Sequence, residues 1–146
     1  HKEYLLVMVQ FLLFILYLYN PYKSAFSGDY LNDIGLVAFV LGLVIMSMAI
    51  YGLRKSLSPF PSPRKNAVLI QHGIFKYIRH PIYTSLLLCT FGWALYSNSI
   101  FRMIIFTALA LLFQIKSNFE ESLLMNRFKD YQQYKKITGK FFPKIY

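Results

Sequence analysis

The chain alternates long apolar runs with short polar intervals, and the runs have the length of membrane spans. Residues 4–19 are interrupted only by Gln10, and 31–53 carry one acid, Asp33, near their start. Two shorter runs, 82–97 and 100–116, meet at the polar turn Ser97-Asn98-Ser99. A crossing helix needs about 20 mainly apolar residues, fewer where the bilayer thins or flanking side chains snorkel. The pattern therefore predicts four transmembrane helices. The turn is so short that the last two must be antiparallel neighbours, which brings the Arg79-His80-Pro81 entrance of one close to the Lys116–Glu121 exit of the other. Beyond that exit, residues 118–136 predict an amphipathic helix with Leu124, Phe128 and Tyr131 on one face, lying at the headgroups. Gly139 is expected to end it, and Phe141-Phe142-Pro143 to anchor the tail. The fold class that follows is an all-α integral membrane protein: one domain, 1–146, with four transmembrane helices and a cytoplasmic C-terminal amphipathic helix.

Composition agrees, since 56% of residues are apolar and the mean hydropathy is +0.42, too high for an ordinary soluble domain of 146 residues. A net charge of +10 would suit nucleic acid, but its distribution reads as topology. Residues 54–81 hold Arg54, Lys55, Arg64, Lys65, Lys76 and Arg79 with no acid, and from Lys116 onward seven cations face three acids, 7 − 3 = +4. The interval 20–30 holds only Lys23 and Asp29. The positive-inside rule then makes the loop, the tail and both termini cytoplasmic, with anionic lipid headgroups as partners and no role for nucleic acid. Arg102, just past the outer turn, is expected to snorkel to the far interface. Residues 56–63 hold three prolines and read as an extended linker. Cys89 is the single cysteine, so no intrachain disulfide forms, and three scattered histidines lack the spacing of a metal site. Neither a phosphate-cradling loop nor a dinucleotide fingerprint is present. Ala38-x-x-x-Gly42 offers a small-residue contact of little weight.

The residues that carry chemistry cluster at the hairpin's charged end. Each alone has an ordinary explanation: Pro81 as a helix start, His80 as its flank, Phe75, Tyr77 and Tyr83 as interfacial aromatics, Lys116 as an i, i+4 partner of Glu120. Together they are more specific. Two acids at a membrane exit, among cations, are costly unless they meet a ligand or partner. An aromatic and carboxylate lining suits a cationic cofactor with a free amino group.

The ordered set Leu69-Ile70-x-x-Gly73-x-Phe75-x-Tyr77-x-Arg79-His80-Pro81-x-Tyr83, Glu120-Glu121-x-x-Leu124, Phe128-x-x-Tyr131-x-x-Tyr134 and Phe142-Pro143 resembles the isoprenylcysteine carboxyl methyltransferase family, itself similar to membrane phospholipid N-methyltransferases. The resemblance covers 67–143 and implies a membrane enzyme that uses S-adenosylmethionine near the cytosolic face, with a lipid or prenylated substrate entering from the bilayer. It implies that Ala67, Val68, Leu69, Ile70, Phe75, His80, Pro81, Ile82 and Tyr83 line the cofactor pocket and that Glu120 holds the cofactor's amino group. Lys116 stands where the family has a substrate-side arginine, keeping the charge without the bidentate fork. Phe75 replaces a frequent tyrosine, and Ser85 a frequent glycine. A carboxylate acceptor is ionised at neutral pH and needs no base, whereas an amine would require Glu121 or His80 as one. Lys116 and Glu121 are thus the catalytic candidates. The alternatives are a phospholipid, lipid-amine or thiol methyltransferase, or a non-catalytic protein that binds anionic lipid.

Overall fold

A computed structural model describes residues 2–21, 29–53 and 68–144. The expected linker at 56–63, the cations Lys23, Arg54, Lys55, Arg64 and Lys65, and the pocket candidate Ala67 lie outside the described residues. The described residues form five α-helices, α1 (Lys2–Tyr19), α2 (Asp29–Leu53), α3 (Pro81–Tyr96), α4 (Ile100–Arg127) and α5 (Tyr131–Ile137), with a 3-10 turn at Gly73–Lys76. An isolated parallel bridge joins Ile78 to Gly139. Three of the helices, α1, α2 and α4, are long and apolar enough to cross a membrane.

α3 has 16 residues and begins abruptly. Proline locks its own φ and pushes the residue before it out of the helical region, and His80 accordingly has φ −122° and ψ 59°. No helical turn precedes Pro81. Instead the His80 amide donates to the Lys140 carbonyl at 3.1 Å, and the Arg79 amide to that of Gly139 at 2.9 Å.

α2 and α3 pack antiparallel with their backbones almost touching. A Cβ on Gly35 would lie 2.6 Å from the Gly92 carbonyl oxygen, one on Gly92 2.5 Å from that of Gly35, and one on Gly42 2.6 Å from Cys89 Sγ. Gly35 and Gly42, seven residues apart and so on one face, make the close contact that the sequence suggested for Ala38 and Gly42. Ser85 is fully buried on this seam, and its hydroxyl donates to the Ile82 carbonyl at 2.7 Å. A serine therefore fits here without leaving a polar atom unpaired.

The largest departure from expectation is at α4. No glycine or proline interrupts 100–127, so the helix runs on to Arg127, and its 28 residues span about 42 Å. That exceeds a hydrocarbon core of about 30 Å, and the turns that carry Glu120 and Glu121 extend past the apolar run. There is no separate surface helix over 118–136. The chain breaks at Phe128–Asp130, and α5 turns back with Tyr131 and Tyr134 buried, 1% and 3% exposed. Tyr134 donates its hydroxyl to the Phe75 carbonyl at 2.6 Å.

At the opposite end, Ser99 caps α4 by accepting from the Arg102 amide at 3.2 Å, while Asn98 of the tight turn donates to Asn32 at 2.9 Å. Arg102 turns to α1, its Nε 3.3 Å from the Tyr17 carbonyl and its guanidinium over the Tyr17 ring. α1 is tied to α4 a second time through Gln10, whose Oε1 accepts from Lys116 Nζ at 2.6 Å.

Candidate functional site

The site forms where α3 begins, α4 ends and the segment after α5 returns. His80 is its centre, 7% exposed. Its Nε2 lies 3.1 Å from Glu121 Oε1 and its Nδ1 3.3 Å from Glu120 Oε2, so one imidazole bridges the two adjacent acids. Burial disfavours the charged ring, but hydrogen bonds and charge from Glu120 and Glu121 outweigh it and raise its pKa above the usual histidine value. The charged form favoured by this setting can donate through both nitrogens, one to each acid.

The two acids differ. Glu121 is enclosed, 2% exposed, and both of its oxygens are engaged: Oε1 by Arg79 Nε at 2.9 Å and by His80, Oε2 by Lys135 Nζ at 2.9 Å. Glu120 retains more access, with its side chain 20% exposed. Its carboxylate faces His80, the Tyr83 hydroxyl and the charge of Lys116.

Aromatic rings wall this group on one side. Tyr83 stacks on His80 with centroids 5.6 Å apart and on Phe113 at 4.8 Å, and Phe141 lies tilted 6.1 Å from His80. Lys116 is 1% exposed and sits 5.6 Å above the Tyr83 ring while reaching Gln10. The buried lysine is thus approached by a neutral amide and an aromatic face.

The structure thus brings His80, Tyr83, Lys116, Glu120 and Glu121 into one cluster. Of the other candidates, Ile70, Phe75 and Ile82 form a second group. Phe75 packs with Ala49 and Ile74, with Ile70 and Ile82 against them, at the end of α2. Pro81 is fully buried, Leu69 is partly buried, and Val68 is exposed.

Several contributors escaped the sequence reading. Gln10 was visible only as an interruption in an apolar run. Lys135, Thr138, Gly139 and Phe141 belong to a tail expected to lie flat on the interface, yet Thr138 is buried and Gly139 bridges to Ile78. A Cβ on Gly139 would fall 1.6 Å from the Phe142 carbonyl oxygen, so only glycine permits the fold-back.

Beside the cluster lies an apolar cleft of about 490 Å³ between α3 and α4. Thr84, Leu87, Phe91, Phe106, Gln114 and Phe141 are among its lining residues. Thr84 and Phe141 also touch the cluster: Thr84 donates to the Phe141 carbonyl at 2.7 Å and to that of His80 at 3.2 Å. Among the described residues no group of three or more His, Cys, Asp or Glu side chains could hold a metal ion.

Comparison with known proteins adds three findings. The profile of the phospholipid methyltransferase family matches residues 31–131. The cobalt-zinc-cadmium resistance protein CzcN of Cupriavidus metallidurans is 28% identical over 123 residues, which is 84% of this chain and 55% of that protein. The solved structure of a eukaryotic intramembrane Ras methyltransferase, isoprenylcysteine carboxyl methyltransferase, superposes with a TM-score of 0.70 at 22% identity, covering 99% of this chain and 53% of that one. The chain therefore spans about half the length of the proteins it matches, and the last likeness is one of fold.

Proposed function

The chain belongs to the phospholipid methyltransferase family, and we propose that it is an S-adenosylmethionine-dependent methyltransferase whose acceptor is embedded in the membrane, most like a protein-S-isoprenylcysteine carboxyl O-methyltransferase. The observation that carries this reading is the position of the acid pair: Glu120 and Glu121 close on buried His80 beside an apolar cleft. Polar and lipid-like groups can meet there.

The donor set fits the cofactor. S-adenosylmethionine, when bound, supplies an electrophilic methyl group on sulfur. Glu120, the more accessible acid, would hold its ammonium group, with Tyr83 beside it. Val68, Leu69, Ile70, Phe75, Pro81 and Ile82, with Ala67, would form the wall toward α2. Lys116 would attract an acceptor anion, held in place by Gln10. Positioning reactants in such a site is worth about 7 to 11 kcal/mol.

Glu121 and His80 are poorly suited to act as bases. The carboxylate is engaged at both oxygens, and both imidazole nitrogens are taken up by acids that favour the charged ring. This favours a carboxylate acceptor, ionised without help. A phospholipid amine, which the family's description suggests, would have to lose a proton first and is the second reading. In this reading the acceptor's chain occupies the α3–α4 cleft, and α3 crosses as a fourth span, its shortness offset by local thinning. The cation-rich end then faces the cytoplasm with both termini, touching anionic headgroups.

Calorimetric titration of S-adenosylmethionine into detergent-purified protein tests the proposal. Saturable binding is expected, with a loss of about 100-fold or more in Glu120→Gln and His80→Ala, as follows from removing a group hydrogen-bonded to charge. Well-folded wild type that takes up no cofactor overturns it. Labelled cofactor supplied with a farnesylcysteine analogue or with phospholipid separates the acceptors: label in phospholipid alone overturns the carboxylate reading.

A further inference from the structure

Arg79 reads in the sequence as one of several cations that mark a membrane face. The structure gives it a different setting. Its side chain is 7% exposed, against 42% for Lys135, which shares the same acid. Two of its three nitrogens are tied to different elements: Nε donates to Glu121 Oε1 at 2.9 Å, and Nη1 donates to the Lys135 carbonyl at 3.1 Å, to the Thr138 carbonyl, and to Thr138 Oγ1 at 3.3 Å. The carbonyls of Lys135 and Thr138 stand at the C-terminal end of α5, where helical carbonyls lack internal partners and the helix dipole favours a cation. One planar group therefore joins α4 to the end of α5.

The consequence passes to His80. Glu121 Oε1 accepts from both Arg79 Nε and His80 Nε2. With Nε2 fixed, the ring plane is fixed, and Nδ1 points at Glu120 Oε2. The imidazole is faced by Glu120 and Glu121 from α4, by the Tyr83 ring from α3 and by the Phe141 ring from the closing segment, and through Glu121 it senses Arg79 and Lys135. Tyr131 and Tyr134 of α5 lie close enough to feel the same charges. Burial, with Glu121 adding to it and Arg79 opposing, pushes the Tyr134 hydroxyl up to about 12, so it remains a donor to Phe75.

We propose that Arg79 is the positioning residue of this site: by gripping Glu121 with one edge and the end of α5 with the other, it holds His80 and thereby presents Glu120 to the cofactor's amino group. The assignment of that cofactor rests on the function proposed above. A lysine at 79 keeps the charge but has one compact ammonium and cannot span both partners in a planar fork. Shape and charge can therefore be separated.

The experiment follows the His80 ring protons by NMR during a pH titration in detergent, with the signal identified by its loss in His80→Gln. Only His1 and His72 remain as other histidines. In wild type, Arg79→Lys and Arg79→Gln, we expect the His80 midpoint to fall in both variants, by about 1 pH unit, because Glu121 no longer holds the ring. S-adenosylmethionine affinity should weaken about 10-fold in both. If Arg79 acted only as a nearby charge, Arg79→Lys would leave the midpoint in place and Arg79→Gln would raise it. If it only capped α5, melting temperature would drop with the midpoint unmoved. Either result overturns the proposal, and Arg79→Lys keeps the test alive should the glutamine variant fail to fold. Wild type that binds no cofactor would refute the function proposed, yet the midpoints would still decide the role of Arg79.

Discussion

The two ends of α3 are held in opposite ways. Along most of its length the helix is fastened to α2 by the absence of side chains: Gly35, Gly42 and Gly92 let the two backbones approach until a single Cβ would collide. At its start it is fastened by charge, with Arg79 and His80 shared among Glu120, Glu121 and the end of α5. In lipid, apolar surfaces gain little by associating with each other, and close packing of small residues must supply the adhesion. At the polar start of the helix, ion pairs can be formed and remade. The first arrangement has one geometry and resists change. The second contains groups that exchange protons and partners, as a binding site requires.

This contrast can be broken most severely at Gly92. Replacing it with leucine puts a side chain where the Gly35 oxygen and Phe39 nitrogen would lie 2.5 Å from Cβ. Backbone atoms cannot move aside cheaply, and overpacking costs about 1 to 3 kcal/mol or more. We expect Gly92→Leu to abolish a single, monodisperse folded species on size-exclusion chromatography. A wild-type profile and melting curve would show that the seam is not what fixes α3.

Gln10 tests whether the polar end extends across to α1. Gln10→Leu removes the acceptor of a buried ammonium, at an expected cost of about 1 to 3 kcal/mol. It should lower the melting temperature by several degrees, while Gln10→Glu, which supplies a carboxylate to the same lysine, should recover it. If both variants melt with wild type, Lys116 does not depend on α1.

The smallest effect is one of pH and belongs to the charged end alone. The pKa of His80 is raised in the folded protein above an unfolded value of about 6.5. Its contribution is therefore complete below about 6.5 and is lost as pH rises through the folded value. The melting-temperature difference between wild type and His80→Gln should be larger at pH 6 than at pH 9.5. An equal difference at both would mean that the ring is held by packing rather than by its proton.

Much of this layout was legible in the order of residues. The apolar runs gave the long helices, and a three-residue turn was enough to bring Glu120 and Glu121 back beside His80. The motif resemblance led to the same family that the profile match identifies. What could not be read were the facings. α3 is apolar on all sides, so its sequence does not indicate that Gly92, rather than any other position, meets α2. Arg79 and Lys76 look alike as cations, but only Arg79 meets an acid from a helix that lies 42 residues further along. The continuation of α4 has no mark in the apolar pattern, because composition turns polar after residue 116 while nothing there breaks a helix.

The bridge between Ile78 and Gly139 sets an order of assembly. Residues 77–80 are synthesised before α3, α4 and α5, yet the Arg79 and His80 amides find their acceptors only when Gly139 and Lys140 arrive. Until then those amides need water, because hydrocarbon offers no partner. The segment therefore stays hydrated until the residues after α5 pair with it. The stretch that carries Gly139 also carries Phe141, which packs on His80, so the polar site is completed only once the residues after α5 have been made.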